Sequence, residues 1–376
     1  MNSDTGVNLP ALRSHNAALV LDLLRTAGED GASRLELAEH TGLTPQAVSK
    51  ITARLREEGL AADAGRRAST GGKPRTVLRL VPGAAHAVGL HLDRDELTAV
   101  LVDLSGVVVT SAVVPLDLGS GAEVVMEVAA GEVAALTSRP LLGVGVAMPG
   151  PLDHAKGVTH RVTGFPEWDG FPLRDALARR LGLPVVLDKD TNAAALNLAL
   201  SGTAFGRGGF GRSGSGRSGG GGGSGADSFA YLHLGTGLGA GLVLGGAVHR
   251  GARTGAGEFG HQTVQLDGPV CGCGGRGCLE ALCLAAVARG DHASAARVLG
   301  AGAANLVQLL DIDRVLLGGR VVTGAAEPFV HGVRAVLEER AQRMGRPPVP
   351  VTLADGSPHM VAEGAAQLIL APVFGR

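Results

Sequence analysis

The chain has 376 residues, 45% hydrophobic but only 3% aromatic, with 34 Lys/Arg against 35 Asp/Glu for a formal net charge of −1. Such length allows two or three domains, and the hydrophobic content is ample for real cores. No apolar run approaches the roughly 20 residues a membrane helix needs, the first residues lack a signal-peptide core, and few, clustered cysteines predict a cytoplasmic protein.

The first elements predict a helix-turn-helix. Leu12 to Thr26 repeats Leu12, Leu19, Leu23 and Leu24 at helical spacing, and Arg34 to His40 reads as a second, short helix. Thr41-Gly42-Leu43 makes a tight turn. Thr44 and Pro45 open a third helix, as N-cap and first helical residue, which runs to Glu58 and stops at Gly59. Val48, Ile51 and Leu55 should face inward. Thr44, Gln46, Ser49, Lys50 and Arg54 should face out, where a recognition helix meets base edges and phosphates. Leu60 to Leu80 reads as a two-stranded wing with Lys73 and Arg75 at its tip, suited to phosphate or minor-groove contact. From Thr44 to Leu80, Lys/Arg at 50, 54, 56, 66, 67, 73, 75 and 79 outnumber acids at 57, 58 and 63, eight to three. That local excess predicts a polyanion partner, double-stranded operator DNA.

The remainder alternates strands with Ala-rich helices, an α/β pattern. Val88 to Thr110 predicts antiparallel strands turning at Asp93–Glu96 and Ser105-Gly106, and Leu142 to Pro151 a buried strand ending in a glycine-proline loop. Pro184 to Asp190 is a further strand, with a helix from near Asn192. Charged residues at such strand ends are placed for ligands. Phe229 to Leu244 predicts two strands joined at Gly235-Thr236-Gly237, and Val315 to Gly319 a last strand and turn. Residues 206–228 are almost entirely Gly, Ser and Arg and predict a loop that buries nothing.

Three of the four cysteines crowd into Cys271-Gly-Cys273-Gly-Gly-Arg-Gly-Cys278, ten residues after His261. Three thiolates and an imidazole form a common closed set for one structural Zn2+, and an ion would offset the ordering entropy of so glycine-rich a loop. Cys283, the rival fourth ligand, lies in an apolar stretch and reads as core. Reduced thiols without metal are the plainer alternative.

These motifs resemble the ROK family (repressor, open reading frame, kinase) in its transcription-factor form, of the xylose- and N-acetylglucosamine-repressor type. The resemblance rests on Gly257-Glu258-Phe-Gly260-His261 followed by the three cysteines and Leu279-Glu280, with support from Met148-Pro149-Gly150-Pro151-Leu-Asp153, Asp190-Thr-Asn192, Leu234 to Gly241 and Leu317-Gly318-Gly319. It implies a winged helix-turn-helix (residues 1–83) ahead of a two-lobed actin/hexokinase-like domain (84–376, with 206–228 inserted). It also implies a homodimer or tetramer, and a sugar or sugar-phosphate effector. By the same resemblance, His261, Cys271, Cys273 and Cys278 bind zinc, Asp190 holds the place of the kinase base, and Glu258, His261 and Glu280 grip sugar hydroxyls.

Three departures stand out. Family kinases open this domain with Asp-x-Gly-Gly-Thr around the ATP phosphates; here the stretch is His91-Leu92-Asp93-Arg94-Asp95. Side chains replace glycines and two acids would repel phosphate, so no kinase activity is expected and Asp190 becomes a relic. The alternative is an ATP-dependent sugar kinase with an appended DNA-binding head. Two asparagines that serve sugar binding are Lys189 and Gly164 here. Lys189 either selects an anionic ligand, or pairs with neighbouring acids and closes the pocket to give a repressor insensitive to sugar. The stretch from Glu280 to Asn305 is also short for the family.

Overall fold

The computed structural model describes residues 15–67, 75–136, 139–162, 164–201 and 228–376. Its head consists of α1 (His15–Ala27), β1 (Ala32–Ser33), α2 (Arg34–Thr41), α3 (Pro45–Glu57), β2 (Ala61–Arg67) and β3 (Arg75–Leu80). Local chemistry sets its corners. Ser33 and Glu36 form a reciprocal capping box at the start of α2, Gly42 ends it in the left-handed region, and the Thr44 hydroxyl accepts the Ala47 N–H (3.2 Å) to cap α3. The predicted two-stranded wing is three-stranded, ordered β1-β3-β2, because Ala32 and Ser33 pair with Leu78 and Val77.

The first lobe holds β4 (His86–Leu92), β5 (Glu96–Asp103), β6 (Val108–Pro115), α4 (Ala122–Leu136), β7 (Leu141–Met148), the short pair β8 (Leu152–Asp153) and β9 (Val158–Thr159), α5 (Leu173–Leu181), β10 (Val185–Lys189) and α6 (Asp190–Ser201). The second holds β11 (Phe229–Leu234), β12 (Leu238–Leu244), β13 (Ala247–Val248), α7 (Leu279–Ala288), α8 (His292–Leu310), β14 (Arg314–Gly318), α9 (Arg320–Gly324), α10 (Ala326–Arg343) and β15 (Val351–Leu353). Their five-stranded sheets run β10-β7-β4-β5-β6 and β15-β14-β11-β12-β13. In each, an antiparallel three-strand meander is extended by two parallel strands, so one topology occurs twice. Helix α6 begins at Asp190, two residues before the predicted start.

Helix α11 (Met360–Leu370) crosses back from the second lobe to lie on the first sheet. Gly89 and Gly145 make this possible, since a Cβ on either would overlap the carbonyls of Ala362 and Ala365. The chain then turns through Ala371–Phe374 onto the head. Leu21, Leu24, Leu55 and Leu78 of the head share one apolar cluster with Val100, Ala366, Leu370 and Phe374 of the body. Polar contacts reinforce that seam. Arg376 donates to Asp22 Oδ2 through Nη2 (2.6 Å) and Nε (3.1 Å), and the Arg25 guanidinium lies 5.0 Å over the Phe374 ring. Among the described residues, no helix is long and apolar enough to cross a membrane.

Candidate functional site: an interlobe cleft beside a Cys/His cluster

The sheets direct their strand ends into one cleft. β10 delivers Lys189 and α6 begins with Asp190. The loop after β13 brings in Glu258 and His261, and the start of α7 brings in Glu280. All five residues expected to bind effector line this cleft. Its other wall is the β4–β5 turn, with His91, Asp93 and Arg94.

Acids and bases here are largely matched across the lobes. Asp188 is buried; it accepts the Lys189 N–H (2.8 Å), the Asn192 side-chain amide (2.8 Å) and Arg250 Nε (2.7 Å). The Lys189 side chain, 3% exposed, reaches past Gly150 and donates to the Ala256 carbonyl (2.5 Å) and to Glu258 Oε1 (3.1 Å). Glu280 accepts the Leu238 N–H (2.8 Å). Burial raises the Asp190 pKa, with His91 pulling it back down. Burial likewise keeps the imidazoles of His91 and His233 neutral to lower pH than usual, and His233 Nδ1 lies 2.9 Å from the Tyr231 hydroxyl. At the outer edge Arg320 of the second lobe reaches Asp95 of the first (3.2 Å).

Sequence reading missed this histidine pair. Each occupies a strand position that no motif marks, and only the packing of two lobes joins them. Lys189 was expected either to select an anion or to pair internally; it is paired.

On the cleft's far side, His261, Cys271, Cys273 and Cys278 present donor atoms all within 4.8 Å of one another. Cys273 and Cys278 sulfurs stand 3.8 Å apart, and Cys271 Sγ is 3.7 Å from His261 Nδ1. A tetrahedral ion with zinc–sulfur bonds of about 2.3 Å places its sulfurs about 3.8 Å apart, so the donor set fits zinc. Cys283 is not among them. It is buried, its sulfur donates to the Ala295 carbonyl (3.6 Å), and burial pushes its thiol up to about 12.

On the head, Thr44, Gln46, Ser49, Lys50 and Arg75 are exposed. Arg54 is partly exposed. Its Nε stands 3.8 Å from Glu58 Oε1, one helical turn along α3, with 41% of the side chain exposed. Lys73 and the 206–228 insertion, apart from Ser228, lie outside the described residues.

The sequence profile of the ROK family matches residues 88–206 and 220–289. The chain is 26% identical over 253 residues to the xylose repressor of Bacillus subtilis (strain 168), covering 66% of this chain and 60% of that one. Against the DNA-binding transcriptional dual regulator NagC of Escherichia coli (strain K12) it is 27% identical over 280 residues, 73% and 64% of the two chains. It thus spans about three fifths of the length of these regulators. It is also 32% identical over 258 residues to the kanosamine kinase of Amycolatopsis mediterranei (strain S699), covering 59% of this chain and 76% of that one. Among solved structures, a ROK family transcriptional regulator homologous to the E. coli MLC protein superposes with a TM-score of 0.70 at 21% identity, over 96% of this chain and 97% of that one. A ROK hexokinase from Thermus thermophilus gives 0.59 at 30% identity, over 77% and 100%.

Proposed function

The chain belongs to the ROK family, and we propose that within it this protein is a DNA-binding transcriptional repressor of carbohydrate genes, controlled by a sugar or sugar derivative bound between the lobes. Residues 1–83 read operator DNA as a homodimer, tetramer assembly being the alternative. Residues 84–376 are the cytoplasmic protein's effector-binding body. His261, Cys271, Cys273 and Cys278 hold one structural Zn2+, which stiffens the loop presenting Glu258, His261 and Glu280.

One observation carries this reading: the Asp95–Arg320 ion pair lies at the turn where family kinases cradle phosphate. Acids at 93 and 95 oppose a triphosphate, and Arg320 at that edge is engaged by Asp95. The head supports the DNA-binding half, since α3 turns Gln46, Ser49 and Lys50 to solvent beside the wing.

A continuous packed route supports ligand control. Helix α6 starts at Asp190 in the cleft and lies against α11, where a Cβ on Gly364 would overlap the Ala193 carbonyl. Helix α11 then leads through Phe374 and Arg376 to α1. A ligand that favours one lobe arrangement shifts the head positions fit for two half-sites.

The second reading, a sugar kinase with a regulatory head, draws on Asp190 in the cleft and the intact Gly235-Thr236-Gly237 turn. ATP consumption over a panel of hexoses separates the two. The repressor reading expects no turnover above a protein-free blank, and sustained sugar-dependent ADP release would establish the kinase.

A further inference from the structure

The ligand cleft contains a cation that no carboxylate matches. The Arg94 guanidinium lies 5.6 Å over the Phe165 ring, and its Nη1 is 3.6 Å from where a Cβ of Gly164 would stand. Stacking fixes the plane of the guanidinium without using its hydrogen-bond donors. Gly164 leaves the space beside it open. Among the described residues, no acid forms an ion pair with Arg94.

Three neighbouring acids are ion-paired elsewhere. Glu258 meets Lys189, Asp188 meets Arg250, and Asp95 meets Arg320. Asp93 spends an oxygen on the Arg94 backbone N–H (2.8 Å), and Glu280 one on Leu238 N–H. Burial favours the neutral form of Asp190. Lys189, the other cation in the cleft, is tied to a carbonyl and a carboxylate and is nearly inaccessible, so it is not the group that reads a charge. Beyond Gly164 the cleft continues into a chamber of about 640 Å³ that Gly164 and the exposed Arg161 both line, within the size range of small-molecule sites.

We propose that Arg94 is a specificity-determining residue: its guanidinium, held on Phe165 beside Gly164, binds a carboxylate or phosphate substituent of the effector. This rests on the ligand-controlled reading above and narrows its ligand to an acidic sugar or a sugar phosphate. A planar guanidinium receives either anion through two parallel N–H donors, and a neutral sugar would leave it unmatched.

The test is calorimetric titration of the full-length, zinc-loaded protein with glucose, mannose and galactose, with the 6-phosphate of each, with glucuronate, and with inorganic phosphate. At least one anionic sugar should bind tenfold or more tightly than its neutral parent. That gap should close in Arg94→Gln and partly return in Arg94→Lys. Preference for glucuronate assigns a carboxylate, and preference for a 6-phosphate assigns a phosphate. The proposal is overturned if no anionic sugar binds, if neutral sugars bind equally well, if inorganic phosphate binds as tightly as a sugar phosphate, or if Arg94→Gln keeps the gap. Duplex retention by the same preparation is scored separately, so failure here leaves the DNA-binding reading standing, and loss of duplex retention sinks that reading alone.

Discussion

Lys189 Nζ, at the end of β10 in the first lobe, stands 3.1 Å from Glu258 Oε1 in the second, with 3% of the lysine side chain and 40% of the glutamate exposed. The pair is therefore asymmetric. Removing the acid strands a buried ammonium, while removing the base leaves a carboxylate that water can reach. Glu258→Ala should cost about 2–4 kcal/mol in urea unfolding, whereas Lys189→Met, which keeps the apolar stem over Gly150, should cost less than about 1 kcal/mol. Equal costs would show that the ammonium is not held as described.

Asp22 and Arg376 join head to body. Asp22 is mostly buried but Arg376 is about half exposed, so the pair contributes only about 1 kcal/mol or less. Arg376→Ala should barely move the melting temperature. It should, however, weaken the effect of ligand on operator affinity, measured as the ratio of dissociation constants with and without effector. An unchanged ratio would mean that the signal takes another route.

The pH dependence has a definite sign. His91 and His233 have folded pKa values lowered from 6.5, chiefly by burial. Between those values and 6.5 the unfolded chain binds more protons. Their stabilising contribution is thus full above about pH 6.5 and is lost as pH falls through the folded values. Asp190, raised from 3.8, acts the other way: its contribution is present below 3.8 and lost as pH rises through its folded value. The melting temperature should fall between about pH 7.5 and 5.5, and the His91→Asn/His233→Asn double variant should flatten that fall. A variant that tracks the parent would place the acid sensitivity in other groups.

Metal content is a direct check on the cluster. Plasma emission should find one zinc per chain, retained in Cys283→Ala and lost in Cys273→Ser. Chelation should lower the melting temperature, because ion binding to a glycine-rich loop is folding energy. Retention of zinc by Cys273→Ser would mean that another donor completes the set.

Much of this was legible locally. Thr44-Pro45 and Gly42 mark α3 and the turn before it through capping chemistry that acts within a few residues, and the cysteine spacing brings three of the four donors together because the loop is short. What was not legible depends on distant packing. β1 has only two residues, too few for a period, and exists because Leu78 and Val77 lie beside it. Spacing left Lys189 between two roles, and Ala256 and Glu258, some seventy residues on, decide it. His91 and His233 become neighbours only when two copies of one sheet topology face each other.

The most direct test of the central claim is selection of the full-length protein on randomised duplex DNA, followed by anisotropy titration on the recovered sequence. The account predicts a two-fold symmetric site bound saturably, with affinity falling steeply as salt rises, and a salt slope smaller by about one in Lys50→Ala. Failure to enrich any duplex at low salt, with the zinc site loaded, would contradict it.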